Sequence, residues 1–100
     1  MFEERVQFPA GFIDSFCRRN HIRKLSFFGS VVRSDFRPDS DVDILVEFEP
    51  GKVPGYFKLF GMQDELTRAL GRTVDLRTVG EISVHSLPRV QQEARRAYPH

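Results

Sequence analysis

The sequence is poor in cysteine and in long apolar runs, and these absences exclude several classes of protein. Its single cysteine, Cys17, cannot form a disulfide within the chain, so a small disulfide-rich secreted framework is excluded. No run approaches the roughly 18 apolar residues that a membrane-spanning helix needs. The first residues include Glu3 and Glu4 and lack a basic segment followed by an apolar one, which argues against a secretory signal. We therefore predict a cytoplasmic protein without membrane contact.

A strong net charge is also absent. Fifteen Lys and Arg against 14 Asp and Glu give a formal charge of +1, too small to indicate direct nucleic-acid binding. The charges are nevertheless clustered in a basic run and an acidic run: Arg18, Arg19, Arg23 and Lys24, then Asp35, Asp39, Asp41 and Asp43. We interpret the basic run as a solvated face, whereas the spacing of the acidic run suggests chemistry.

One hundred residues with 40% hydrophobic composition, including ten Phe, provide for one core but not two. We therefore predict a single domain over residues 1–100, with residues 1–9 as a short leader. The helical spacing of Phe12, Ile13 and Phe16 around Cys17 indicates a buried structural thiol rather than a reactive one.

Apolar spacing predicts the order helix, strand, short helix, strand, helix, strand, helix. The predicted elements are a helix over 10–20, a strand over 24–28, a short helix over 30–36, strand 41–48, helix 56–70, strand 73–78, and a C-terminal helix capped by Ser86 with Leu87, Val90, Ala94 and Ala97 as its apolar stripe. This order predicts an α/β (α+β) fold with a small mixed sheet flanked by helices.

The helix over 56–70 carries both aliphatic and aromatic residues. Its clearest apolar face consists of Leu59, Met62, Leu66 and Leu70. The aromatic residues beside that face are Tyr56, Phe57 and Phe60. We favour core packing for these three, and a partner-binding face is the alternative.

Asp41 and Asp43 are the first candidate for a functional site. At positions i and i+2 of a strand, their side chains point to the same face. Two adjacent carboxylates repel each other and are costly to bury, so the pair needs water or a cation. Mg²⁺ is a suitable cation because it prefers oxygen ligands and is often shared with substrate phosphates. The alternative is an ordinary acidic surface turn.

Gly29 and Ser30 are the second candidate. Gly29 follows a predicted strand and permits close approach of a ligand or a positive φ, while Ser30 supplies a hydroxyl donor at the start of the next short helix. Such a segment can hold phosphate groups, and the alternative is an ordinary turn that binds no ligand. Arg33 is either a further phosphate contact or a surface residue paired with Asp35.

Asp75 is the third candidate, because aspartate is unfavourable inside a strand. If its strand lies beside that of Asp43, three carboxylates could hold two metal ions ~4 Å apart, as in nucleotidyl transfer. The alternative is an exposed surface aspartate. The histidines His21, His85 and His100 lack metal-ligand spacing and are left out of the site.

Together these motifs carry a resemblance. Gly29-Ser30, then ten residues, then Asp41-Val42-Asp43 resemble the signature of the DNA polymerase beta-like nucleotidyltransferase superfamily, and in particular its minimal members, the MNT domains. The similarity extends over roughly residues 20–98, including Leu70-Gly71-Arg72-Thr73-Val74-Asp75-Leu76 and Glu93-Ala94. Val32 and Ser34 depart from the pattern, since many relatives have a small residue and a glycine there; this affects the loop shape and not the carboxylates.

The resemblance implies specific roles. Asp41 and Asp43 would bind Mg²⁺, and Gly29 and Ser30 would hold the β- and γ-phosphates of ATP. Asp75 would ligate the catalytic one of two Mg²⁺ ions and help to activate the attacking hydroxyl. ATP would be the substrate that donates AMP.

The acceptor is implied by resemblance alone. Minimal MNT proteins are typically antitoxins paired with HEPN-domain ribonuclease toxins from an adjacent gene. The expected activity is therefore transfer of AMP to a tyrosine of such a toxin, which would be neutralised. The alternatives are a non-catalytic antitoxin that binds nucleotide and acts by complex formation, and a small-molecule nucleotidyltransferase of the aminoglycoside-modifying type. The three carboxylates favour catalysis, and the short chain favours a protein acceptor.

Overall fold

A computed structural model describes residues 6–99, which form a four-stranded sheet with helices against it. The elements in chain order are α1 (Phe12–Arg19), β1 (Ile22–Phe28), a 3₁₀ turn (Gly29–Val32), β2 (Val42–Phe48), α2 (Tyr56–Leu70), β3 (Val74–Thr78), a second 3₁₀ turn (Val79–Glu81), α3 (Leu87–Glu93) and β4 (Arg95–Tyr98). None of these helices has both the length and the apolar composition that crossing a bilayer requires. The expectations that involve Glu3, Glu4 and His100 fall outside the described residues.

The sheet is mixed, as predicted. Its order is β3-β2-β1-β4, in which β2 runs antiparallel to β1 and parallel to β3, and β4 runs antiparallel to β1. Val42, Ile44 and Val46 alternate along one face of strand β2 and are fully buried, whereas Asp43 and Glu47 on the other face are partly exposed. This alternation places the core mainly against one face of the sheet. The α/β (α+β) class is therefore confirmed.

The C-terminal segment differs from the prediction. Helix α3 ends at Glu93, and the chain then enters β4, so the predicted helix through Ala97 is wrong beyond that point. Without β4, the backbone N–H and C=O groups along one side of β1 would have no strand partner. This tertiary pairing overrides the helical spacing of Ala94 and Ala97. The short helix predicted over 30–36 is likewise limited to the 3₁₀ turn at Gly29–Val32.

The core includes residues that were assigned to a leader. Val6 is only 8% exposed, and the ring of Phe8 stacks on Phe12 at 5.5 Å between centroids and lies 6.4 Å from that of Phe27. Residues 6–8 therefore contribute to the packed domain. The thiol of Cys17 is fully buried, and burial, followed by nearby Asp14, raises its pKa to about 12. This confirms the prediction of a structural thiol.

Two features of the surface bear on the predictions, the aromatic residues of α2 and the basic run on α1 and β1. Met62 and Leu66 are buried, but Tyr56, Phe57 and Phe60 are 73%, 97% and 65% exposed, so core packing was the wrong interpretation for these aromatics. The helix buries one stripe, and these three rings lie outside it. With Val53, which is 65% exposed, they form what we call the aromatic patch. The basic run is confirmed as a solvated face, and its Arg19 pairs with Glu65 at 2.8 Å.

Candidate active site

The predicted site residues meet at one end of the sheet. Phe28, the last residue of β1, lies opposite Asp43 near the start of the antiparallel β2. Asp43 in turn lies opposite Asp75 on the parallel strand β3. The 3₁₀ turn that begins at Gly29 therefore starts beside the two aspartates. The register alone explains why residues from three separate segments come together.

Gly29 has the backbone that brings Asp43 close. Its φ is +75°, a left-handed conformation that favours glycine. A Cβ at this position would collide with Oδ2 of Asp43 and would lie 3.1 Å from its Cγ. Glycine is thus needed for two reasons, the backbone conformation and the space that the Asp43 carboxylate occupies.

Asp43 lies at the centre of a carboxylate cluster. Burial first, and then the negative charges of Asp75 and Asp41, raise the pKa of the Asp43 carboxyl from 3.8 to about 6. Arg77 and Arg33 act in the opposite direction. The three carboxylates are therefore close enough to repel one another, which is the electrostatic condition under which a divalent cation binds favourably.

Asp75 is held by a residue that the sequence analysis did not single out. Arg77 donates two hydrogen bonds to its carboxylate, at 3.1 and 3.2 Å. Residues i and i+2 of a strand share a face, so the spacing of Asp75 and Arg77 contained this signal. As the side chains stand in residues 6–99, no three His, Cys, Asp or Glu groups are arranged to hold a metal ion. The oxygen donors suit Mg²⁺ in their chemistry.

Arg33 is fixed by two carboxylates. Its guanidinium contacts Asp35 at 3.2 Å and both oxygens of Glu93 at 3.1 and 3.2 Å. The backbone N–H of Arg33 also donates to the carbonyl of Ser30 at 3.0 Å, which closes the turn between them. The pair with Asp35 that was the alternative interpretation is therefore present, and a phosphate contact for Arg33 stays a prediction.

Glu93 is the second residue that the sequence analysis did not place in the site. It was noted there only as part of the family pattern. Its Oε1 accepts a hydrogen bond from the backbone N–H of Gly29 at 3.1 Å, in addition to the contacts with Arg33. The Gly29 N–H is thus engaged within the protein, while Ser30 is partly exposed beside it.

The loop that precedes Asp41 is anchored by Arg72. The guanidinium of Arg72 lies 4.6 Å from the centroid of the Phe36 ring and donates to the carbonyl oxygens of Arg37 and Pro38. These contacts hold the segment between the 3₁₀ turn and β2. They place Asp41, which is exposed, at the entrance to the strand that carries Asp43.

Comparison with known proteins identifies the family. Residues 10–98 match the model of the nucleotidyltransferase domain, and the chain belongs to that family. Protein adenylyltransferase MntA of Thermococcus cleftensis is 44% identical over 55 residues, which are 55% of this chain and 54% of the relative. A Methanocaldococcus jannaschii protein provisionally named a protein adenylyltransferase is 36% identical over 76 residues, 76% of this chain and 80% of its own. The match thus spans about half the length of the first relative and most of the second.

Solved structures share the fold. A protein provisionally described as a minimal nucleotidyltransferase has a TM-score of 0.70 and 31% identity, over 83% of each chain. A chain of a toxin–antitoxin structure with AMP-PNP has a TM-score of 0.73 and 21% identity, over 88% of this chain and 71% of that one. A chain from the complex of a tri-AMPylated Shewanella oneidensis HEPN toxin with an MNT antitoxin has a TM-score of 0.66 and 20% identity, over 88% and 67%.

Proposed function

We propose that this chain is a Mg²⁺-dependent protein adenylyltransferase that acts as an antitoxin. It transfers AMP from ATP to a tyrosine of a HEPN-type ribonuclease toxin and thereby neutralises the toxin. The observation that carries the proposal is the cluster of Asp41, Asp43 and Asp75 around the turn at Gly29, in a chain of the nucleotidyltransferase family.

The roles of the chain's own residues follow from their chemistry. Asp41, Asp43 and Asp75 would hold two Mg²⁺ ions, which when bound stabilise negative charge on the α-phosphate and on the departing pyrophosphate. The Ser30 hydroxyl and the Arg33 guanidinium would donate to phosphate oxygens. Gly29 would keep that turn close to Asp43. Once released from Arg77, Asp75 would also help to accept the proton of the attacking hydroxyl. The hydroxyl oxygen would bond to the α-phosphorus as the bond from that phosphorus to pyrophosphate breaks.

The partner is proposed from the relatives. One matched structure contains a HEPN toxin that carries AMP groups in complex with an MNT antitoxin, and the curated relatives are named protein adenylyltransferases. We expect the toxin to be the product of an adjacent gene. The proposal places the protein in the cytoplasm, where ATP is available, and requires neither a membrane nor direct contact with nucleic acid.

A second candidate function is neutralisation by binding alone, with nucleotide bound but not transferred. The aromatic patch favours it, because exposed apolar clusters of this kind commonly mark protein–protein contacts. The patch includes the start of α2, and the cavity that Tyr56 lines also touches Thr78, the last residue of β3. Asp75 lies three residues before Thr78 on that strand, so the aromatic patch and the carboxylate cluster lie toward different ends of β3.

Labelling distinguishes the candidates. The purified chain is mixed with Mg²⁺, α-labelled ATP and the adjacent gene product, and we expect label on that partner. Label should be lost in Asp41→Asn and Asp43→Asn and retained in Asp39→Asn, which removes an equal charge from the exposed preceding turn. Neutralisation by the unlabelled Asp41→Asn and Asp43→Asn variants would instead support binding alone. Label on a small acceptor, with none on the partner, would indicate a small-molecule nucleotidyltransferase.

The aromatic patch gives a separate prediction about partner binding. Phe57→Ser should raise the Kd of the complex by about tenfold or more, because the ring is almost fully exposed and would lose its burial in the interface. Isothermal calorimetry with the partner measures this change. Lys58→Ser alters the neighbouring exposed residue of α2 and should leave the Kd nearly unchanged. Equal Kd values for the two variants would show that the partner binds elsewhere.

A further inference from the structure

Glu93 links two parts of the candidate phosphate site. Its Oε1 accepts from the Gly29 N–H at 3.1 Å, and both its oxygens accept from Arg33 at 3.1 and 3.2 Å. Gly29 and Arg33 are 64 and 60 positions away from Glu93 in the sequence, so the contacts depend on the tertiary fold. The Glu93 side chain is 22% exposed, whereas that of Arg33 is 46% exposed.

The strand register determines where Glu93 lies. Ser26 pairs with Arg96, and Phe27 pairs with Arg95, across the antiparallel strands β1 and β4. The ladder ends at Phe27 and Arg95, and two residues further along Gly29 begins the 3₁₀ turn while Glu93 ends α3. The pairing of β1 with β4 therefore brings Glu93 near the turn, where its side chain reaches the Gly29 N–H.

We propose that Glu93 is a positioning residue for nucleotide binding, an inference that rests on the proposed function. By accepting from Gly29 it fixes the start of the turn at the place where Ser30 faces the incoming phosphates. By binding Arg33 it aims the guanidinium at the same place. A carboxylate so near the other acidic groups is tolerated because Arg33 compensates its charge.

The opposite role, an internal anion that nucleotide must displace, is less consistent with the geometry. Displacement would break three hydrogen bonds and leave the Glu93 carboxylate unpaired beside a triphosphate. Since Glu93 ends α3 and only Ala94 separates it from β4, it could retreat only by rotating its side chain or by disturbing one of these elements. The two roles predict opposite changes in nucleotide affinity when Glu93 is removed.

The test compares variants of the full chain. The Kd for AMP-PNP with Mg²⁺ is measured by calorimetry, hydrogen exchange of the Gly29 amide by NMR, and Tm by thermal unfolding. Glu93→Ala should raise the Kd about tenfold and accelerate exchange at Gly29, because both contacts are lost.

Glu93→Gln retains an acceptor for the Gly29 N–H and should lose less affinity. Asp35→Asn removes the other carboxylate on Arg33 but should leave Gly29 exchange unchanged. Glu65→Ala removes a carboxylate–guanidinium pair far from the site and should preserve the Kd.

The outcomes separate this inference from the proposed function. A lower Kd in Glu93→Ala would show that Glu93 competes with nucleotide, and an unchanged Kd with a lower Tm would show a purely structural role; either overturns the inference. If the expected Kd pattern appears but the unaltered chain transfers no AMP, the proposed function fails and the inference holds. If the unaltered chain binds no AMP-PNP, both fail.

Discussion

Asp43→Asn is expected to abolish AMP transfer and, at the same time, to make the metal-free protein more stable at pH 8. The transfer rate should fall about a thousandfold or more, because the variant loses the central anionic ligand for the cations. Those cations would stabilise the charge that develops in the transition state by several kcal/mol. Stability should rise because the ionised Asp43 carboxylate is partly buried next to two further carboxylates, whereas the asparagine amide carries no charge.

The pH dependence follows from the direction of the Asp43 pKa. Folding raises it from 3.8 to about 6, so the folded protein binds this proton more tightly than the unfolded chain does. The resulting stabilisation is complete below pH 3.8 and is lost as the pH rises through about 6. At pH 8 the full pKa shift would correspond to a loss of about 3 kcal/mol in the free energy of unfolding. Because solvent screens this partly exposed side chain, we expect Asp43→Asn to raise the free energy of unfolding by only about 1–2 kcal/mol.

Urea unfolding of the metal-free protein at pH 5 and pH 8 measures this gain, with Asp39→Asn as the control. Asp39 is exposed, so its replacement changes the net charge equally but should alter neither stability nor AMP transfer by much. The difference in unfolding free energy between Asp43→Asn and the unaltered protein should be larger at pH 8. If the difference were the same at both pH values, charge repulsion at Asp43 would not be its cause.

Local sequence patterns were sufficient for the parts of the site that lie on one segment. The predicted strand carries Asp43 as β2 does, with Asp41 directly before its first residue, and the glycine after β1 indicated a special backbone at Gly29. The meeting of Asp43 with Asp75 required an additional assumption, that β3 lies beside β2. The parallel register confirms that assumption, but nothing within either segment specifies it.

Features that depend on pairing between distant segments were not predictable in this way. The helical spacing of Ala94 and Ala97 concealed β4, whose formation depends on the open side of β1. The contact of Glu93 with Gly29 was not predictable for the same reason, since it requires the pairing of β1 with β4. The exposure of Phe57 depends on how α2 is rotated against the sheet, and composition alone does not fix that rotation.

Gly29→Ala should show that the shape of the turn, and not only its presence, is required for activity. Alanine carries a cost of about 1–2 kcal/mol at a positive φ, and here its Cβ would also collide with Oδ2 of Asp43. The carboxylate lies at the end of a rotatable side chain, so the fold can relax by moving it away. We therefore expect a moderate loss of stability but a loss of AMP transfer of about a hundredfold, since a shift of about 1 Å in a catalytic group has an effect of this size.

Gly51→Ala provides a matched control for the backbone cost. Gly51 has the same φ of +75°, but nothing lies within 4 Å of the position that a Cβ would take. Gly29→Ala should therefore lose at least as much unfolding free energy in urea as Gly51→Ala, while only Gly29→Ala should lose AMP transfer and Mg²⁺-dependent binding of AMP-PNP. A comparable loss of activity in both would mean that general destabilisation is responsible. Full activity in Gly29→Ala would mean that Asp43 can work from a displaced position, and the tight contact between the turn and the carboxylate would then have no part in catalysis.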